Sequence, residues 1–188
     1  MRQALFDWGI REVDISEDGT AIVPLIDRSP VGYLPLEQYT GLFLTFAETE
    51  RTVEHVQAFA NKYGLLLDPG ETDKPESLET WQQWILNMRT AVDLFNSGND
   101  AHKLERMIET FLDVKPVFEN HQLTLMPANL LSALWLQLAL AVHGKKKYRR
   151  CAWCGLPFHA TAKQLKPERV FCSNSCRQHD YRRRRVAK

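Results

Sequence analysis

The sequence predicts an α+β fold that is mainly α: a helical N-terminal domain at residues 1–144, then a small cysteine-rich module at 145–188. Three observations predict it. Apolar residues repeat at helical spacing through most of the first part, a hairpin pattern lies near the N-terminus, and all four cysteines lie beyond residue 150. With 188 residues, 44% of them hydrophobic, the chain can bury a core of ordinary size.

The N-terminal part begins with a predicted β-hairpin. Apolar segments at Val13–Ile15 and 21–26 flank a polar turn at 17–20, where Gly19 supplies the positive φ that tight turns need. A helix is expected over 53–63 from its apolar spacing, with Gly64 as the C-terminal cap. The first part therefore starts with a small β-element and continues as helices.

Two further helices are predicted from apolar stripes. The first starts after Ser77 and ends near Gly98, and the second starts at Asp100, a good N-cap residue. The stripes consist of Leu78, Trp81, Ile85, Met88, Val92 and Phe95 in the first, and of Leu104, Met107, Ile108 and Phe111 in the second. Steps of three and four residues indicate one buried face on each helix.

The last helix of this part is the most apolar. A short strand is expected at 122–125, after which Pro127 opens a Leu-rich helix that runs to Val142. Ser132 and Gln137 interrupt this apolar segment, which is too short to span a bilayer, so it is interpreted as a buried core helix. The N-terminus carries an acidic residue and no apolar signal segment, which favours a cytoplasmic protein.

The sequence evidence for catalytic groups in residues 1–144 is weak. Glu50, Glu54 and His55 lack the two-histidine order of a zinc protease and are interpreted as a solvated face. Trp81 fits the apolar stripe and is assigned to the core, whereas Trp84 falls off it and is assigned to packing or an oligomer interface, with a pocket as the alternative. No phosphate-binding glycine loop or nucleophile elbow occurs, so we expect no enzyme activity.

Charge is distributed very unevenly along the chain. Residues 145–188 contain fourteen Lys and Arg against two acidic residues, a formal charge of +12. Because the net charge of the whole chain is +1, residues 1–144 carry −11. This asymmetry indicates a basic module that binds polyanions, attached to an acidic body, with the boundary near residue 145.

The four cysteines form two close pairs, Cys151 with Cys154 and Cys172 with Cys176, separated by seventeen residues. This spacing lets each pair hold one side of a metal ion, and four thiolates complete the tetrahedron of a structural zinc site with no position left for a catalytic water. Disulfides are disfavoured by the expected compartment. A redox pair is disfavoured because 155–158 reads as a turn and does not open a helix.

The surrounding residues predict a treble-clef-like zinc finger. In such a finger the first pair lies on a knuckle, a hairpin follows, and the first turn of a helix delivers the second pair. Gly155 ends the knuckle, and the apolar residues Phe158, Val170 and Phe171 are suited to cover the metal. Trp153 either shields the thiolates or stacks on a base, with shielding favoured.

Two histidines near the cysteines are not needed as ligands. His159 and His179 are expected to bind no zinc, because four cysteines complete the site. A nuclease of the HNH type uses a similar knuckle, but it needs a catalytic histidine on a strand and further metal ligands. The segment 158–160 matches that pattern only faintly, so the nuclease is a minor alternative.

Basic residues surround the predicted finger. Four consecutive arginines at 182–185 cover most of a helix circumference, so that this end must face water or phosphate. One alternative is a solubilising tail that interacts favourably with the helix dipole. The further cations around the finger favour phosphate contacts with nucleic acid instead, DNA first and RNA as the alternative, without base-specific contacts. The predicted nucleic-acid-binding residues are Arg149, Arg150, Lys163, Lys166, Arg169, Arg177, Arg182, Arg183, Arg184 and Arg185.

Between 123 and 185 the chain has a Leu-rich helix, a basic run, Cys151-Ala-Trp-Cys-Gly-Leu-Pro-Phe158 and Arg169-Val-Phe-Cys-Ser-Asn-Ser-Cys176. This order resembles the bacterial CGNR-type zinc finger proteins, in which a helical domain precedes a short finger and which are regarded as transcriptional regulators. The four name-giving residues would fall on 176–179, where only Cys176 is kept, and both pairs here are more closely spaced. The ending also resembles short FCS/YCS-type fingers. The resemblance implies the four zinc ligands and a DNA-binding role.

The sequence thus predicts a cytoplasmic bacterial regulator with one structural zinc ion, whose basic finger contacts the phosphate backbone. Its acidic body is expected to sense an unidentified ligand or to mediate homodimerisation. One alternative is a zinc-stabilised protein-interaction module whose basic tail docks on an acidic partner or on the body itself. Another is an enzyme with an unrecognised pocket in residues 1–144.

Overall fold

The computed structural model describes residues 8–25, 31–33, 35–67, 74–119, 121–160 and 170–186. The described helices are α1 (Pro35–Gln38), α2 (Leu42–Glu48), α3 (Val53–Tyr63), α4 (Leu78–Ser97), α5 (Ala101–Phe111), α6 (Leu130–His143) and α7 (Asn174–Val186). The described strands are β1 (Trp8–Ile10), β2 (Val13–Ile15), β3 (Ala21–Pro24), β4 (Val31–Tyr33), β5 (Glu76–Ser77), β6 (Val114–Glu119), β7 (Gln122–Pro127), β8 (Lys147–Arg150) and β9 (Pro157–Ala160). The fold is α+β and mainly α, which confirms the predicted class.

The predicted N-terminal hairpin is present as β2 and β3, with Val13 opposite Pro24 and Ile15 opposite Ile22. Gly19 has φ 72° in the turn, so the glycine supplies the left-handed conformation that the sequence indicated. Strand β5 adds to β3 as a third antiparallel strand. Strands β1 and β4 form a separate antiparallel pair.

Aromatic side chains from α2, α3 and α4 form the centre of the core. Phe46, Phe59, Tyr63 and Trp81 are buried, and their rings contact one another edge to face or tilted, with centroids 4.7 to 6.1 Å apart. Such pairs add to the hydrophobic gain of burying the rings. Trp81 also donates a hydrogen bond to buried Glu76 at 2.7 Å, so the predicted core role of this residue is confirmed.

Helix ends in this region follow the sequence signals. Helix α3 ends at Gly64, which has φ 91°, and α4 ends at Gly98 in the left-handed region. The side chain of Asp100 accepts a hydrogen bond from the Lys103 amide at 3.0 Å and so caps α5. On α5 the predicted stripe is only partly covered, because Leu104 is buried while the other three stripe residues are half-buried.

The start of α6 corrects one prediction. Pro127 does not open the helix but ends β7, where it pairs with Val114 of β6. The chain stays extended beyond it, since the Ala128 amide donates to the Asp113 carbonyl, and the helix begins only after Asn129, whose side chain accepts from the Ser132 amide. The Asn side chain supplies the cap that a proline cannot, and the strand is longer than predicted.

Two polar side chains hold α2 in place. Gln137 of α6 accepts a hydrogen bond from the Phe43 amide and donates to the carbonyls of Pro35 and Tyr39, at 3.3, 3.1 and 2.8 Å. At the other end, Arg89 of α4 donates to the carbonyl of Ala47, near the end of α2, and to that of Thr49, the residue after the helix. Both ends of this short helix are therefore fixed against the core.

Among the described helices, none combines the length and the apolarity that crossing a bilayer would require.

Candidate metal centre and basic surface

Strands β8 and β9 form an antiparallel hairpin whose loop carries the first cysteine pair. The Cys151 amide donates to the Leu156 carbonyl, and the Gly155 amide donates back to the Cys151 carbonyl at 2.9 Å. Gly155 has φ 70°, a conformation that glycine adopts without strain. This tight loop places Cys151 and Cys154 on the same side of the chain.

The second pair lies at the start of α7. Cys172 precedes the helix and Cys176 lies in its first turn, where its amide donates to the Ser173 hydroxyl at 3.2 Å. Two bonds join this segment to the knuckle: the Ala152 amide donates to the Val170 carbonyl at 2.8 Å, and the Cys172 amide to the Cys151 sulfur at 3.4 Å.

These bonds bring all four cysteine sulfurs within 4.8 Å of one another. The sulfur of Cys172 lies 3.7 Å from that of Cys154 and 3.4 Å from that of Cys176. The cysteines are thus positioned to hold one metal ion, as the spacing predicted. The loop of the described hairpin β8–β9 contains the first pair, whereas a treble clef has a hairpin after the first pair. Residues 161–169, which follow β9, lie outside the described part. The treble clef therefore stays a prediction.

The pKa values of two of the cysteine thiols are shifted in opposite directions. Burial raises the pKa of Cys151, but hydrogen bonds from the backbone amides of Cys154, Cys172 and Trp153 outweigh it and lower the pKa to about 6. At Cys172 burial and the neighbouring thiols act together and raise the pKa to about 12. One thiolate is therefore stabilised by the fold itself, whereas deprotonating the whole cluster needs a cation.

Trp153, between the first two cysteines, lies against α7. Its ring is stacked on His179, with centroids 5.6 Å apart and planes at 14°, and the guanidinium of Arg183 lies 5.1 Å from its centroid. Among the described residues, the group that could hold a metal ion consists of the four cysteines and does not include His179. The side chain of His159 lies outside the described part.

Helix α7 has two chemically different faces. Cys176, His179, Asp180 and Arg183 share the inner face, where buried Asp180 pairs with Arg183 at 3.2 Å and with Arg184 at 2.8 Å. The outer face carries Arg177, Gln178, Tyr181 and Arg182, which line one depression of the surface. Within the described part of the chain, Arg177 and Arg182 make no ion pair.

The other predicted nucleic-acid contacts are divided. Arg150 forms an ion pair with Glu48 of α2 and donates to the Gly155 carbonyl at 2.9 Å, while Arg149 is half-buried. Lys163, Lys166 and Arg169 lie outside the described residues, as does the side chain of Arg185. The positions of these side chains do not show whether they contact nucleic acid, so their role in nucleic-acid binding stays a prediction.

The cysteine module contacts α2 at three places. The Arg150–Glu48 ion pair is one, and the ring of Tyr148 packs edge to face on Phe43, with centroids 5.3 Å apart, as the second. The third is at Gly41, the N-cap of α2, where an added Cβ would lie 3.0 Å from the side chain of Pro157, so a side chain there would require Pro157 to shift slightly. Sequence reasoning missed these contacts because no local pattern pairs α2 with residues a hundred positions away.

The candidate groups that the sequence offered in residues 1–144 lie in two settings. Glu50, Glu54 and His55 are exposed, as expected for a solvated face. Trp84 is half-buried and packs against the core. Sequence reasoning missed the buried carboxylates of Glu76 and Asp180; for Asp180 the signal was available, since Arg183 and Arg184 follow it at three and four positions on one helix.

Comparison of the chain with known proteins gives no relative: no protein-family model matches it, and no curated protein matches it in sequence. The resemblance to CGNR-type proteins therefore stays a prediction from the order of segments between 123 and 185. In the structure the residues that would carry the family's name lie in the first turns of α7, from Cys176 to His179.

Proposed function

We propose that the chain is a nucleic-acid-binding regulator in which one structural zinc ion folds the C-terminal module and α7 contacts backbone phosphates. The observation that carries the proposal is the position of the basic outer face. It begins one residue after the ligand Cys176, so metal binding and phosphate binding share one short helix.

Zinc is the metal that best suits this donor set. Four thiolates are soft ligands that favour zinc or iron–sulfur chemistry, and a single tetrahedral zinc at ~2.3 Å from each sulfur separates neighbouring sulfurs by ~3.8 Å. The separations of 3.7 and 3.4 Å agree with a mononuclear site of this size. The site would hold zinc through Cys151, Cys154, Cys172 and Cys176, and four protein ligands leave no position for catalysis.

Zinc would supply the stability that this module lacks. Helix α7 contains one apolar residue, Val186, besides Cys176 and the exposed Tyr181, so it has almost no apolar face to bury. Helices of this length are marginal in water without packing. Metal binding therefore determines whether the basic face exists in a fixed form.

The outer face has the composition of a surface for nucleic acid. Arg177 and Arg182 are exposed cations, and Tyr181, which is 60% exposed, lies between them on the same side of α7. Arginine binds phosphate in a bidentate manner, and an exposed aromatic ring offers a stacking surface for an unpaired base. The acidic residue of the helix, Asp180, lies on the inner face, away from this surface.

Two double variants with equal loss of charge test the proposal. Arg177→Gln with Arg182→Gln removes cations of the outer face, whereas Arg183→Gln with Arg184→Gln removes cations already paired with Asp180. Fluorescence anisotropy against random duplex DNA and single-stranded RNA, at several salt concentrations, measures each. We expect the outer variant to flatten the slope of log affinity against log salt by up to about 1.8 on DNA, and the inner variant to change it less.

Absence of nucleic-acid binding at low salt, with one zinc per chain confirmed, would reject the proposal. Equal effects of the two double variants would reject the assignment to the outer face. The ion pair between Arg150 and Glu48 favours the rival, a module whose basic segment docks on acidic protein surfaces. That rival function predicts stoichiometric binding to an acidic protein and no change in the anisotropy of labelled nucleic acid.

A further inference from the structure

A cavity of about 700 Å³ lies where the helical body meets the segment that leads into the cysteine module. Helix α2, the junction of α4 and α5, and residues 145–150 form its walls. Its volume is within the range of small-molecule sites, about 300–1,000 Å³. The cavity is separate from the sulfur cluster and from the outer face of α7. Two of the predicted phosphate contacts, Arg149 and Arg150, are among its lining residues.

The walls divide the cavity by polarity. Apolar side chains come from the body and make up one side: Leu44, Leu94, Phe95, Leu104 and Val142. Basic side chains come from the segment after α6 and make up the other: Lys145, Lys146, Lys147, Arg149 and Arg150. Among the described lining residues Glu48 is the acid, and its carboxylate is paired with Arg150.

Three of these cations have no counter-charge. Within the described residues, the ammonium groups of Lys145, Lys146 and Lys147 make no ion pair or hydrogen bond. Three adjacent lysines repel one another, and water screens this repulsion least at Lys146, which is half-buried whereas Lys145 and Lys147 are exposed. An anion at this position would relieve it.

The backbone at this point is also unusual. Lys145 has φ 46°, a left-handed conformation that costs a residue with a Cβ more than it costs glycine. The turn is fixed by bonds from the Lys145 amide to the Val142 carbonyl and from the Lys146 amide to the Ala141 carbonyl. These two bonds close the C-terminal end of α6 and so fix where the first two lysines leave the helix beside the cavity.

We propose that this cavity binds a small amphipathic organic anion. Its apolar body would lie against Leu94, Phe95 and Leu104, and its anionic head group would be neutralised by the lysines at 145–147. The basic wall complements the negative charge of such a ligand, and the apolar wall complements its apolar body. The proposal does not depend on phosphate contacts made by the outer face of α7, so the two proposals can be tested separately.

A matched pair of fluorescent dyes tests the proposal on the zinc-loaded full chain. 8-Anilinonaphthalene-1-sulfonate has an apolar ring system and one negative charge, and N-phenyl-1-naphthylamine has the same ring system without the charge. We expect saturable binding of the anionic dye at one site per chain. The neutral dye should bind about tenfold more weakly or worse, since it lacks the ion pairs.

Four variants locate the dye. Lys145→Gln with Lys146→Gln removes charge from the basic wall, and Ala101→Trp fills the cavity from an exposed position on α5. Lys115→Gln is the charge control on the distant strand β6. Phe118→Ser removes a competing apolar surface, because Phe118 is 72% exposed and pairs across the hairpin with Leu123, which is 50% exposed.

We expect the lysine double variant and Ala101→Trp each to weaken the binding of the anionic dye about tenfold or more. The affinity of Lys115→Gln and Phe118→Ser for this dye should equal that of the wild type. Melting temperature and zinc content show whether each variant is folded. If one of the two cavity variants does not fold, the other decides. Equal affinity for the neutral dye, or dye binding lost in Phe118→Ser and kept in the cavity variants, would overturn the proposal.

Discussion

The indole of Trp153 is stacked on the imidazole of His179, with ring centroids 5.6 Å apart and planes 14° from parallel. This contact joins the knuckle to the second turn of α7, next to Cys154 and Cys176 of the two cysteine pairs. Arg183, one turn further along, also lies by the indole. The knuckle and the helix are thus joined by a stacked pair of rings in addition to the sulfur cluster.

Replacing Trp153 by alanine should therefore loosen α7. Aromatic pairs contribute about 0.5–1.5 kcal/mol beyond the area they bury, and we expect a loss of about 1 kcal/mol in the unfolding free energy of the zinc-loaded module. Denaturant unfolding followed by helical circular dichroism measures it. Trp153→Phe is the control, because it keeps a ring at this position. A loss equally large in both variants would mean that the stacking contributes nothing.

Replacing Cys172 by serine should unfold the module and leave the body folded. Structural zinc contributes about 10–16 kcal/mol of binding free energy in finger peptides, and Cys172 lies within 3.7 Å of two of the other sulfurs. We expect loss of stoichiometric zinc, and loss of hydrogen-exchange protection in α7 but not in α4. Ser175→Ala, an exposed change in the same turn, is the control. Stoichiometric zinc in Cys172→Ser would contradict the four-ligand assignment.

Local signals predicted the hairpin β2–β3, the caps at Gly64, Gly98 and Asp100, and the cysteine pairs, because each depends on residues within a few positions of one another. Predictions failed where the deciding partner is distant. Pro127 has the chemistry of a helix start, but its pairing with Val114 keeps it in a strand. Likewise, the spacing of Arg183 and Arg184 indicated their pairing with Asp180, but not the burial of its carboxylate, since that depends on packing around the knuckle.

Replacing Asp180 by asparagine should release two arginines. Asp180 is 5% exposed and pairs with Arg183 and Arg184, so the isosteric amide keeps the shape and removes both ion pairs. We expect a modest loss of module stability, because the arginines are largely exposed. If the proposed function is correct, nucleic acid should bind more tightly, with a salt slope steeper by up to about 1.8 on DNA. Salt-dependent anisotropy measures this, and a slope that does not steepen would show that neither arginine reaches phosphate.

The pH dependence of stability should report the contact between Tyr148 and α2. Burial raises the pKa of Tyr148 to about 12, from an ordinary value of 10, because the phenolate is poorly solvated beside Phe43. The unfolded chain therefore loses this proton at lower pH than the folded chain does. The associated stability is fully present below pH 10 and is lost as pH rises towards 12.

Tyr148→Phe has no proton to lose at this position, so its unfolding free energy should fall less than that of the wild type between pH 10 and 12. The difference should be of the order of 1 kcal/mol after allowance for partial exposure. Denaturant unfolding at matched pH values measures the difference, and ultraviolet titration of the folded protein gives the phenol pKa directly. Tyr181→Phe is the control, since Tyr181 is 60% exposed. Parallel pH profiles for the wild type and Tyr148→Phe would show that the module does not pack on α2 through this ring.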